Sequence, residues 1–268
     1  MSVETAYTYD GSLGGLLCCV FDSYTRREMP LAILTEGEPT FYRTWPVETV
    51  EAHAMRVWRS LGRLSGEIQE WVKRGWFSCV QDREWMIYQF IRLAYQYGAR
   101  VTSMLTNATV CQLFKAVRMV GNEAGQLIEF LRFSDCGEGL VAVIEPKCIV
   151  LPLMQQHFTD RYPEEIFLIH DKTNHMALFY RPYQAQILPV ERLEVPAMGA
   201  EEQMFRALWR KYYEVAAVEG RENPRCRMGH MPKRFWNHMT EFSQTPAGEP
   251  EPGNERLTQG PSPSILPG

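Results

Sequence analysis

Leu13, Leu16, Leu17, Val20, Phe21 and Tyr24 recur at intervals of three and four residues, which predicts an amphipathic helix with one face turned inward. Asp10-Gly11-Ser12 supplies its start signal and Pro30 its end, and the aromatic, weakly alternating TAYTYD before it suits a short strand. EGEPTFYRTWPVE reads as a loop with a short extended piece. From Val50 to about Met119 the period is helical. Met55, Trp58, Leu61 and Leu64 form one stripe, and Met86, Phe90, Leu93 and Tyr97 another, with Gly98 as a C-cap.

The period then shortens. IEFLRF and LVAVIEPK, joined by the turn-forming SDCGEG, read as a β-hairpin. IVLPLMQQHFTDRYP reads as a helix ended by Pro163, EIFLIHD and MALFYRP as a second hairpin through KTNH, and QAQILPVERL as a further strand. Phe205, Leu208, Trp209, Tyr212 and Ala216 predict a helix anchored on the rest of the fold by that apolar face. The expected class is α+β, an antiparallel sheet built from hairpins and packed against a mainly helical N-terminal half and a C-terminal helix. Residues 1–242 are expected to form one domain, helical over 50–119, β-rich over 127–195 and helical again over 200–242. Residues 243–268, rich in Pro, Gly, Ser and Glu with little to bury, are expected to be a disordered tail.

Composition changes this picture only by exclusion. A chain of 268 residues, 45% hydrophobic and 22% charged, is globular material. No run of about 18 apolar residues exists, so no membrane partner is expected. The N-terminus lacks a basic segment followed by an apolar one, which points to the cytoplasm. Seven cysteines without CxxC spacing read as reduced thiols, Cys18 and Cys19 as small buried residues. No phosphate-cradling loop, hydrolase elbow or zinc motif is present, so neither a cofactor nor a metal is implied.

The net charge of −4 means that a polyanion must be met by a local basic patch. Ala54 to Arg100 holds eight basic against four acidic residues, as a solvated helix face or a ligand contact. Arg206 to His238 holds eight against three, and within it RCRMGHMPKRFWNH interleaves four basic residues with aromatics. That mixture suits phosphate neutralisation with base stacking, but it also suits a protein interface or a packed C-terminal extension. A second constellation is His157, Asp160, Arg161, His170, Asp171 and His175. His157, His170 and Asp171 are its candidates for acid/base chemistry or metal ligation, against structural hydrogen bonding.

Several segments together resemble one family: YTYDGSLGGLLCCVFDSY, HAMRVWRSLGRLS, FLRF with AVIEPKCIVLPLMQQHFTDRYPEEIFLIHD, and RENPRCRMGHMPKRFW. It is a bacterial domain of unknown function labelled as a DNA-metabolism or DNA-repair protein, encoded beside a radical-SAM protein and related to a domain fused to uracil-DNA glycosylase-like domains. The resemblance spans about residues 5–240. It implies an accessory protein of DNA repair, with DNA and a radical-SAM protein as partners and no glycosylase activity of its own. Arg132, Glu145, His157, Phe158, Arg161, His170, Asp171, Arg221, Asn223, Pro224, Pro232, Lys233, Arg234 and Trp236 match its pattern. The chain departs from it at KTNHMALFY, where an arginine often follows the His-Asp pair, and at Phe235, usually Tyr. The expected nucleic-acid-binding set is Arg221, Arg225, Arg227, Lys233, Arg234 and Trp236. Two other readings stay open: a nucleic-acid-processing enzyme using the His/Asp residues, and a purely protein-binding subunit of the radical-SAM enzyme.

Overall fold

The computed structural model describes residues 5–137, 139–191, 200–216, 228 and 232–239. The fold is α+β, as the periodicity predicts. β1 (Thr5–Tyr9) leads into α1 (Leu13–Thr25), where Ser12 accepts from the Gly15 amide at 2.9 Å and caps the first turn. Gly15 admits no side chain, because a Cβ there would lie 2.3 Å from Asp10 Oδ1 and 2.7 Å from the Tyr9 ring. α1 carries the chain back, so β2 (Ile33–Thr35) runs parallel to β1. β3 (Arg43–Pro46) pairs parallel on the other side, giving the order β2-β1-β3. β1 is the strand expected of TAYTYD and β3 the short extended piece expected within EGEPTFYRTWPVE, whereas β2 and the parallel pairing were not anticipated.

Four helices follow: α2 (Glu51–Leu64), α3 (Gly66–Phe77), α4 (Arg83–Tyr97) and α5 (Ala108–Phe130), with a short 3-10 helix at Gly98–Ser103 before α5. Gly98, at φ 62°, ends α4 as expected of a glycine C-cap. The inward stripes differ in detail from the expected ones. Ala54, Val57 and Leu61 are the buried face of α2, flanked by Trp58 and Leu64, while Met55 faces solvent. In α4 Met86 and Phe90 are buried and Tyr97 is exposed.

α5 runs eleven residues past the expected helix limit at 119, through Phe130. Asn107 caps it by accepting from the Val110 amide at 3.3 Å. The β-rich look of IEFLRF is overridden, because Leu127 continues the buried stripe of Val120 and Ala124. The expected first hairpin therefore shrinks to β4 (Ser134–Asp135) against β5 (Leu140–Ile144). α6 (Leu151–Arg161) then crosses over, and β6 (Phe167–Asp171) pairs with β5 in parallel. β7 (Met176–Arg181) and β8 (Gln184–Pro189) add antiparallel strands. The five-stranded order is β4-β5-β6-β7-β8, so the hairpin-built antiparallel sheet holds except at the one pair that a helix separates.

α7 (Ala200–Ala216) is the expected C-terminal helix, and of its expected apolar face Phe205, Leu208 and Trp209 are 55%, 54% and 45% exposed. Arg206 pairs with Glu202 within the helix and donates to Ser134 Oγ on β4. The expected tail at 243–268 lies outside the described residues.

Two buried clusters result. The first joins β1, β2, α1–α4 and the N-terminal half of α5; the second joins the rest of α5, α6 and one face of the five-stranded sheet. α5, about 35 Å long at 1.5 Å per residue, belongs to both. Among the described residues no helix is long and apolar enough to cross a membrane.

Candidate functional site

Lys115, Arg118 and Asn122 sit at spacings of three and four on the outward face of α5, opposite Leu113, Val117 and Val120. Lys147, from the connection between β5 and α6, and Arg234, from the C-terminal 3-10 helix Lys233–His238, face the same space. Together they border a groove of about 620 Å³ whose apolar lining is Leu105, Phe114 and Met119. All four cations are exposed, and Arg118 lies over the Phe114 ring, 5.8 Å from its centroid.

Among the described residues the one carboxylate in this lining is Glu123, only 3% exposed. It accepts from the amides of Lys147 at 3.1 Å and Cys148 at 2.8 Å, and pairs with Arg234 Nη1 at 2.8 Å. Its charge is thus compensated from within the protein. Arg234 also donates to Gln126 Oε1 at 3.1 Å, so the guanidinium is fixed at the rim of the groove with its side chain still 38% exposed.

The rest of the C-terminal 3-10 helix is held by packing. Phe235 is buried against Phe130, with ring centroids 5.9 Å apart, and Met239 is buried beside it. Trp236 packs on the second cluster, and Lys233 Nζ lies 5.8 Å from its ring centroid. Phenylalanine at 235 suits an apolar pocket in which a hydroxyl would need a partner. Of the expected nucleic-acid set, Lys233, Arg234 and Trp236 are thus brought together, whereas Arg221, Arg225 and Arg227 lie outside the described residues, as does Asn223.

The His/Asp constellation is dispersed. His157 is on the exposed side of α6, edge-on to Phe158. His170 and Asp171 are neighbours on β6 and so point to opposite faces of the sheet. Asp171 is fully buried and organises the β6–β7 turn, accepting from the Thr173 amide at 3.1 Å, the Asn174 amide at 3.0 Å and Asn174 Nδ2 at 2.7 Å. Burial raises its carboxyl pKa above the usual value, against these hydrogen bonds. Asn174 Nδ2 also donates to the Cys148 carbonyl at 3.2 Å, linking this turn to the loop that holds Glu123. His170 is 4% exposed, and among the described residues neither ring nitrogen has a hydrogen-bond partner within ordinary geometry. Burial, with the nearby charges of Lys172 and His175, lowers its pKa. Among the described residues no group of three or more His, Cys, Asp or Glu is placed to hold a metal ion.

The remaining family-pattern residues have local roles. Arg132 donates to the Glu129 and Leu131 carbonyls at the end of α5, and Arg161 lies against Tyr162. Glu145 stands 3.5 Å from Lys172 Nζ and 3.6 Å from His238 Nε2, the latter a charge pair only when the imidazole is protonated.

A model of the DUF4130 family, a domain of unknown function, matches residues 81–241. The chain belongs to that family. No curated protein and no solved structure matches it. Every residue that borders the groove falls inside the DUF4130 match. A second basic surface does not: Arg56, Arg59 and Arg63 line an exposed hollow of about 550 Å³ on α2, and Arg56 also borders an aromatic one formed with Phe21, Tyr24 and Tyr95. Among the described residues these three arginines have no ion-pair partner.

Sequence reasoning passed over Lys115, Arg118, Glu123 and Lys147. One signal was available, since Glu123 is an acidic residue set among the inward positions Val120, Ala124 and Leu127.

Proposed function

We propose that this DUF4130 chain is a nucleic-acid-binding accessory protein whose contact surface is the α5 groove. The observation that carries the reading is the convergence of Lys115, Arg118, Lys147 and Arg234 on one groove whose single carboxylate is already compensated. Cations arrayed along a channel with apolar and aromatic walls suit a phosphodiester backbone whose bases lie against Phe114 and Leu105. Lys233 and Trp236, next to Arg234 in the chain, extend that surface. The sequence resemblance supports a DNA-repair or DNA-metabolism setting with a radical-SAM protein as partner.

The test is fluorescence anisotropy with short single- and double-stranded DNA across a salt series. The wild type binds at low salt with log K falling linearly against log salt, and Lys115→Glu/Arg118→Glu loses most of that affinity and flattens the slope by one to two contacts' worth. Absence of low-salt binding, or an unchanged slope in the variant, would sink the reading.

A specific observation also supports a protein-facing role. Met204, Phe205 and Leu208 of α7 are each more than half exposed, on a helix held to β4 through Arg206. Aliphatic and aromatic side chains presented this way suit a protein partner. Copurification with the radical-SAM protein, lost in Phe205→Asp while DNA affinity is kept, is the outcome this role requires.

A further inference from the structure

Two thiols from opposite halves of the molecule meet outside the groove. Cys79 is exposed on the loop between α3 and α4, and Cys148 is 1% exposed on the connection between β5 and α6. Cys148 Sγ donates toward Cys79 Sγ at 3.7 Å. The contact is built, since the Ile149 amide donates to the Phe77 carbonyl at 2.8 Å and the Cys148 amide is held by Glu123 at 2.8 Å. A disulfide needs an S–S distance of about 2.05 Å, so the sulfurs must close by roughly 1.7 Å, a movement open to a side chain on an exposed loop. The other adjacent pair, Cys18 and Cys19, is sealed in the first cluster at 1% and 0% exposure.

We infer that Cys79 and Cys148 are a reversible oxidation site, in which a peroxide converts the thiol pair to a disulfide bridging the helical half and the five-stranded sheet. The roles follow from access. Cys79, as thiolate, attacks the peroxide, breaking the O–O bond to give a sulfenic acid and, once a proton is taken up, water. Cys148, whose pKa burial raises, with the nearby Glu123 adding to the effect, stays a thiol and does not compete for the peroxide. Its sulfur then attacks Cys79 Sγ, the S–O bond breaks, and the Cys148 proton leaves with the hydroxyl as a second water. Two thiols and one peroxide thus give one disulfide and two waters. The bridge closes a loop that contains α4, α5 and β5, and so ties both buried clusters together.

The experiment treats the reduced full-length protein with a few equivalents of hydrogen peroxide, alkylates the remaining thiols, and maps the digest by mass spectrometry without reduction. The expected result is a peptide pair joining Cys79 to Cys148, released by dithiothreitol and absent in Cys79→Ser. The melting temperature should rise by roughly 5–10 °C on oxidation of the wild type, with no rise in Cys79→Ser. In Cys148→Ala, a sulfenic acid at Cys79 should be trapped by dimedone. Because Cys79→Ser alters an exposed position, its folding gives the comparison a sound baseline even if Cys148→Ala is destabilised. A Cys79 that stays alkylatable, that joins a different cysteine, or that advances to sulfinic acid while Cys148 is untouched would overturn the inference.

Discussion

The two buried clusters are built from different materials. Around α1–α4 the interior is aliphatic and aromatic, and its buried polar residues are the hydroxyl-bearing Thr5, Ser23 and Ser78. Around the five-stranded sheet the interior also takes in Glu123, His170 and Asp171, the buried carboxylates and imidazole of the described residues. Buried ionisable groups are costly unless paired, and Glu123 is tied to backbone amides of the β5–α6 connection beside the groove, Asp171 to those of the β6–β7 turn. The lesson is that both clusters bury apolar surface, while among the described residues only the second also holds carboxylates that fix loops and charges in position.

That contrast can be broken most directly in the first cluster. Phe90→Ala, which removes a fully buried ring stacked 5.8 Å from Trp71, should cost about 3–5 kcal/mol in urea unfolding while leaving DNA affinity per folded molecule unchanged. A selective affinity loss would mean that the first cluster positions the groove as well. Next in size is Glu123→Ala, which orphans two amides and Arg234 and should cost about 3 kcal/mol. Arg234→Ala leaves Glu123 its two amides and removes a partly exposed partner, so the loss should be about 1 kcal/mol. Equal losses in the two variants would show that the ion pair, and not the amide cradle, holds the carboxylate.

A finer test compares the two basic surfaces. Arg56→Glu/Arg59→Glu on α2 should change DNA affinity by less than Lys115→Glu/Arg118→Glu on α5, because a lone helix stripe lacks the facing cations Lys147 and Arg234. An equal or larger effect would move the interface to the helical half. The smallest effect concerns pH. His170 has a folded pKa below its unfolded value near 6.5, so the unfolded chain takes up the proton first. Its stabilising contribution is present above that value and is lost as pH falls from about 6.5 through the lowered folded value. Burial raises the Asp171 pKa and gives a slope of opposite sign, so the readout is the difference between wild type and His170→Leu in unfolding free energy at pH 7.5 and pH 5. A difference that does not change with pH would show that His170 is protonated alike in both states.

The elements were legible wherever local pattern and tertiary demand agreed. Ser12 announced α1, Gly98 ended α4, and KTNH marked the β6–β7 turn because each sits where short-range chemistry decides the backbone. Ile128 to Phe130 misled for the opposite reason: β-rich residues stay helical when the stripe through Leu127 is buried. The parallel pairing of β5 and β6 follows from the α6 crossover between them, which the run of hairpin signals obscured. Of the site, Lys233, Arg234 and Trp236 were visible as a cluster in sequence. Lys115, Arg118 and Lys147 were not, because their convergence depends on how the β5–α6 connection folds back beside α5. Cys79 and Cys148, 69 residues apart, carry no local signal at all.

The end-to-end sharing of α5 has a practical corollary for anyone who would cut the chain at the edge of its family match. Residue 81 falls between α3 and α4, yet Leu113 lies so close to Gly75 of α3 that a Cβ there would come within 2.5 Å of it, and Phe90 of α4 leans on Trp71. A fragment that starts at the family boundary would keep every groove residue and leave the inner surfaces of α4 and the first half of α5 open to water. The edge of the family match is therefore not a mechanical boundary, and the helices before it must be handled with the rest.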